Sequence, residues 1–209
     1  MSAEQYNIEK IKNMTRRSIK TSSFIMWPLM IGLIVTAEPI VKLILTDKWI
    51  SCVPFLQIFC LTYVLWLIHT ANLSAIKAIG RSDLFLMLEI IKKAVGIIVL
   101  LLIMHLGILI MAYSLLFTNV LSSFINSYPN KKLLNYSYLD QIKDILPSML
   151  LSIIMGCMVY PIQYLNLNIF PLLIIQVILG GAIYMLCAGV LHFKSFEYIV
   201  YIIKRILKK

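Results

Sequence analysis

Hydrophobic positions along the chain fall into six long runs, at roughly 22–45, 52–75, 86–104, 107–126, 146–163 and 169–191. None shows the strict alternation of a half-buried strand. Their length is that of a helix crossing a bilayer: about 20 residues at 1.5 Å rise span the ~30 Å hydrocarbon core. The pattern therefore predicts an all-α, polytopic transmembrane helical bundle of six spans. Only "HLG" at 105–107 separates the third run from the fourth.

Between the runs, polar residues cluster tightly enough to mark turns. In "AIGRSD", 78–83, Gly80 suits the left-handed end of one helix, and Ser82 or Asp83 suits the cap of the next. Trp49 lies in the 46–51 loop, and Tyr160 and Tyr164 flank the 161–168 loop, where amphipathic rings favour a membrane interface. Gly180, Gly181, Ala188 and Gly189 allow close helix contact in the last run. Pro28, Pro147 and Pro161 are expected to bend spans.

Composition agrees with this picture, at 61% hydrophobic and 13% charged residues. So few charges cannot clothe a soluble domain. A net charge of +10 would suggest nucleic acid, but the placement of the cations argues against it. Segments 1–21, 76–93, 127–145 and 192–209 hold 17 of the 19 Lys and Arg. By the positive-inside rule these segments face the cytoplasm, which requires an even number of spans and puts both termini inside. Merging the third and fourth runs would break that pattern. Three regions follow: a basic cytoplasmic N-terminal segment, 1–21, polar and weakly helical; a six-helix transmembrane domain, 22–191; and a basic interfacial C-terminal helix, 192–209. The first run starts after some twenty polar residues and resembles no cleaved signal, so the first span itself is expected to direct insertion into the cell (inner) membrane.

Ionisable residues inside spans are the candidate chemistry, because each is costly in hydrocarbon. Glu38 lies fourteen residues beyond Phe24, about 21 Å along the helix. Lys42 is one turn further out, so the two can pair. Pro39 between them has no N–H to offer the Val35 carbonyl. Two readings stand: an ion pair at the outer end, or a protonatable or cation-binding carboxylate on a cavity. His69 and Asn72 share a face of the second span, with Trp66 a turn before. They can relay protons or bind substrate polar groups, or simply join helices by hydrogen bonds. Lys92 and Lys93 leave only residues 94–104 of the third span free of charge, so they either snorkel to the inner interface or face a wet cavity.

Other chemistries lack their residues. There is no glycine-rich phosphate loop with its lysine, no nucleophile elbow and no metal-like spacing of His, Asp or Glu. Cys52, Cys60, Cys157 and Cys187 read as small packing residues. Neither catalysis nor a cofactor is called for.

Three stretches together resemble a known pattern. "FIMWPLMIGLIVTAEPIVKLILTDKWISCVPFLQIF" carries a proline-bearing span, a small-Glu-Pro step, a loop ending in Lys-Trp and a second proline. "LSAIKAIGRSDLFLMLEIIKK" carries the Gly-Arg turn that follows, and "RRSIKTSSF" the arginine pair before the first span. Across residues 16–93 the chain resembles the polysaccharide and O-antigen flippases of the multidrug/oligosaccharidyl-lipid/polysaccharide exporter superfamily, and beyond that it agrees in span spacing. The resemblance implies a carrier that moves lipid-linked oligosaccharide from the inner to the outer leaflet through a cationic cavity between two helical bundles, with ion-gradient coupling. It makes Lys42, Lys92, Lys93 and His69, with Asn72, candidate substrate contacts, and Glu38 a candidate coupling group. Such flippases carry about twice as many spans, and this chain resembles the last six. Expected partners are therefore the lipid-linked oligosaccharide, membrane lipids, and a missing N-terminal half or other envelope glycan assembly proteins. The rival readings are a non-transporting assembly subunit, an inactive truncated remnant from a split reading frame, and the permease subunit of a nucleotide-driven transporter.

Overall fold

The computed structural model describes residues 3–165, 167–191, 193 and 196. Among the described residues seven α-helices follow one another: α1 Ala3–Val35, α2 Ala37–Leu45, α3 Val53–Ala78, α4 Ser82–Ile103, α5 Ile108–Leu134, α6 Tyr138–Val159 and α7 Ile169–Val190. Short 3-10 turns precede α3, join α4 to α5 and follow α6. Among the described residues, five helical stretches are long and apolar enough to cross a membrane: Asn7–Val35, Asp47–Ala78, Ile108–Leu134, Tyr138–Tyr164 and Ile169–Val190. The helix of the third run, α4, has 22 residues but carries Asp83, Glu89, Lys92 and Lys93. The "HLG" step does separate α4 from α5, through Met104–Leu106 and Gly107 at φ 100°.

Several boundaries differ from the sequence pattern. The first run is two helices, because α1 stops at Val35 and α2 starts at Ala37. Pro39 is the cause, since the carbonyl four residues before it loses its donor. The break is held by other groups. Gln57 Nε2 donates to the Ile34 carbonyl at 3.2 Å, and Thr36 Oγ1 donates to the Gly32 carbonyl at 2.8 Å. The basic lead-in is not weakly helical but the first half of α1. Its face is anchored, with Ile19 fully buried and Thr15 nearly so. The fourth run extends eight residues past 126, as α5, and contains Pro129. Hydrogen bonds from Asn126, Ser127 and Asn130 replace hydrophobicity there. Pro161 lies in the 3-10 turn after α6, at the end of the Tyr138–Tyr164 stretch.

The 78–83 turn has the expected left-handed Gly80, at φ 82°. Arg81 N–H reaches the Ile76 carbonyl and Gly80 N–H the Lys77 carbonyl, the paired bonds of a Schellman ending. Neither Ser82 nor Asp83 caps α4, whose N-cap is Arg81. The Arg81 guanidinium instead binds Asp83 at 2.7–3.1 Å and holds its carboxyl down to about 2.

By contacts, the chain forms two compact units, the first of residues 1–19 and 61–145 and the second of 20–60 and 146–209. In the first, α4 packs along α5. Its interior mixes apolar residues such as Ile19, Val64, Ile76 and Leu134 with a buried polar set. In the second, Phe24, Leu151, Met155, Val159, Tyr184 and Ala188 form the core. Phe24 and Tyr184 rings lie 5.1 Å apart, and the Tyr184 hydroxyl donates to the Phe24 carbonyl at 2.8 Å. Such close packing and hydrogen bonding hold helices together where lipid is as apolar as leucine. The proposed interfacial helix of 192–209 falls outside the described residues, except for Phe193 and Phe196 beside that core.

Candidate functional site

A groove of about 660 Å³ opens in the first unit between α3, α4 and α5. The α3 wall carries Trp66, His69, Thr70, Ser74 and Lys77, a stripe at helical spacing. The α4 wall carries Phe85, Glu89, Lys92, Lys93 and Gly96, and α5 adds Thr118, Asn119 and Ser122. Lys92 and Lys93 both line this groove. Lys92 is mostly buried and paired with Glu89, one turn before it. Lys93 is exposed. The Lys77 ammonium sits 4.0 Å from the centre of the Phe85 ring. Three lysines face one glutamate, so the groove is cationic.

Behind the α3 wall lies a hydrogen-bonded core. Asn126 Nδ2 lies 3.0 Å from His69 Nδ1, a bond whose direction is set by the tautomer of the ring. Ser123 Oγ is 3.5 Å from the ring's Nε2 and itself donates to the Asn119 carbonyl. Asn72 is fully buried. Its Nδ2 donates to Gln141 Oε1 at 2.8 Å and to Ser127 Oγ at 3.1 Å, and its Oδ1 accepts from Asn130 Nδ2 and Gln141 Nε2. Polar groups this deep hold position only when paired, so the network gives α3, α5 and α6 one register. His69 thus has one edge on the groove and both nitrogens on α5, while Asn72 works behind it.

At one end of the unit, Arg16 clamps Asp144 with Nε at 2.6 Å and Nη2 at 2.9 Å. The Tyr136 hydroxyl donates to the same carboxylate at 2.9 Å. Burial, reinforced by the negative Asp144, pushes the Tyr136 phenol above its ordinary range. Asn135 turns the chain in the left-handed conformation, and Ser137 and Asp140 exchange the bonds of a capping box at the start of α6.

Glu38 and Lys42 are not brought to this groove. Both belong to the second unit, where Lys42 Nζ donates to Glu38 Oε1 at 2.7 Å and both side chains are partly exposed. Sequence reasoning missed Lys77, Gln141 and the α5 stripe. Asn119, Ser123, Asn126, Ser127 and Asn130 recur at helical spacing, a signal legible in the sequence.

In fold, the chain resembles the lipid II flippase MurJ in an inward closed conformation, with a TM-score of 0.70. The fold is flippase-like. Sequence identity is 21%, and the match covers 100% of this chain but 44% of that one, so the chain spans less than half the length of the flippase it resembles. Residues 1–54 also match a family described as "Polysaccharide biosynthesis protein". A search of curated proteins finds no match. Five helices long and apolar enough to cross a membrane mark a multi-pass membrane protein.

Proposed function

We propose that the chain is the membrane-embedded part of a carrier, not an enzyme, that passes lipid-linked oligosaccharide precursors across the cytoplasmic membrane. The observation that carries this reading is the cationic groove of a flippase-like fold. Three lysines against one glutamate at the walls of the groove suit a diphosphate, the charged link between a lipid carrier and its glycan. In this reading Lys93 and Lys77 meet the diphosphate first, and Lys92 exchanges Glu89 for it. Asn119, Thr70 and Trp66 offer the hydrogen bonds and ring face that a sugar takes, with His69 at their back. Asn72 positions His69 through the network behind it. Six crossings with both termini inside, α4 included, place the cations on the cytoplasmic face. The remainder of the carrier is supplied by a partner N-terminal half or by other envelope glycan assembly proteins.

The test is binding of inorganic pyrophosphate to the purified chain, with glycan export in cells beside it. Replacing Lys92 and Lys93 together by Ala is expected to weaken pyrophosphate binding about tenfold or more, since each charge-assisted bond is worth roughly 1.5–3 kcal/mol. Lys42→Ala, at the Glu38 pair, is expected to leave it unchanged. Normal export by the double variant at normal membrane level would shift the reading to a non-transporting assembly subunit.

A further inference from the structure

Among the described residues that line the groove of the first unit, Glu89 alone is acidic, against Lys77, Lys92 and Lys93. Its carboxylate is not shared among the three. Glu89 Oε1 accepts from Lys92 Nζ, one turn along α4. Lys77 lies over the Phe85 ring instead, and Lys93 is exposed. The one acid is therefore bonded to the most buried of the three cations. Side-chain exposure is 14% for Lys92 and 32% for Glu89, so the carboxylate is the partner with room to move away.

A buried ammonium in a span needs a counter-ion, and that need alone accounts for a pair. Placing the pair on the groove has a second consequence. An anion that draws Lys92 to itself does so against Glu89, which one helical turn holds beside the ammonium at high effective concentration. Once displaced, the carboxylate stays on the same wall as the bound anion, and like charges repel most where water is scarce. Both effects loosen the groove's hold on an anion. Transport requires such loosening, because a site must let its cargo go as well as take it.

We propose that Glu89 is the release group of this groove, an internal carboxylate that competes with a diphosphate for Lys92 and returns to it as the anion leaves. The proposal rests on the carrier reading and adds to it the residue that limits how tightly the groove binds.

The experiment measures inorganic pyrophosphate binding to the full chain in a neutral detergent by calorimetry, with glycan export in cells at matched membrane level. Glu89→Gln keeps the shape of the side chain and removes its charge. It is expected to bind pyrophosphate about tenfold tighter, the equivalent of one charge-assisted bond, and to export severalfold less. In a Lys92→Gln background the same change is expected to alter affinity less than about threefold, because no bond remains to compete for. A counter-ion with no other role gives a different result: a lower unfolding temperature, with binding unchanged or weaker. No gain in affinity, an equal gain in the Lys92→Gln background, or tighter binding with unimpaired export would each overturn the proposal. Should Glu89→Gln fail to fold, the unmodified chain decides. Its carboxylate infrared band is expected to shift when saturating pyrophosphate takes Lys92, and an unshifted band overturns the proposal. If the unmodified chain binds no pyrophosphate, the carrier reading falls as well; if it binds and Glu89→Gln brings no gain, the release role alone falls.

Discussion

Asp144 shows what a single buried carboxylate commits the chain to. Its side chain is 4% exposed and satisfied by Arg16 and the Tyr136 hydroxyl. Arg16→Ala leaves that charge short of its main partner, and is expected to destabilise the protein by about 1–3 kcal/mol in thermal unfolding in detergent. The magnitude is below that of a fully buried pair because the arginine is itself 48% exposed. Tyr136 adds a pH dependence whose direction follows from its raised phenol. The folded state holds the proton more tightly than the unfolded chain, so the contribution is complete below the ordinary phenol range near 10 and is lost as pH rises above it. An alkaline fall in stability that is smaller in Tyr136→Phe would bear this out. The sequence marked Arg16 only as one of a pair before the first span. Its partner lies 128 residues away, a distance no local pattern reports.

Helix packing turns on close approaches that composition does not announce. Gly156 of α6 is such a place, since a Cβ there would come within 2.7 Å of the Ile31 side chain and 3.4 Å of Val35. Gly156→Leu is therefore expected to cost about 1–3 kcal/mol by overpacking, read as a lower unfolding temperature, while Gly181→Leu faces open space and is expected to cost far less. The α1–α2 break belongs to the same scale. Gln57→Leu removes the donor to the Ile34 carbonyl, and the expected loss is about 1 kcal/mol, with faster hydrogen exchange on either side of Thr36. Pro39 made the break legible in the sequence. The side chain that bonds beside it was not, because Gln57 reaches the Ile34 carbonyl only once α3 has folded back.

For the molecule as a whole, the balance of cations is the strongest topological statement. Impermeant thiol labelling of single cysteines, in a background freed of the native four, is expected to reach position 48 from outside the cell and not positions 81 or 132. Labelling of 132 from outside would mean that α4 lies in the membrane without crossing it. The charges that interrupt α4 as a span, Glu89, Lys92 and Lys93, are among those that line the groove of the first unit. Lys92 and Lys93 stood out in the sequence because charge is costly in a span, while their cavity did not, because it needs α3 and α5 beside them.

By itself the sequence determined the helical class, the positions of the turns, the charge asymmetry, and the handful of polar residues whose presence in hydrocarbon demanded a reason. These follow from local physics: run length, proline and glycine geometry, and the cost of a charge in lipid. Only the tertiary structure decided which of those residues meet. It sent His69, Lys92 and Lys93 to one groove, paired Glu38 with Lys42, made Asn72 part of a network with Gln141 and Asn130, and left Gln176 without a partner among the described residues. Those outcomes depend on which helix faces touch across long separations in the chain, and hydrogen-bond geometry between such faces is set by packing, not by spacing along one strand of sequence.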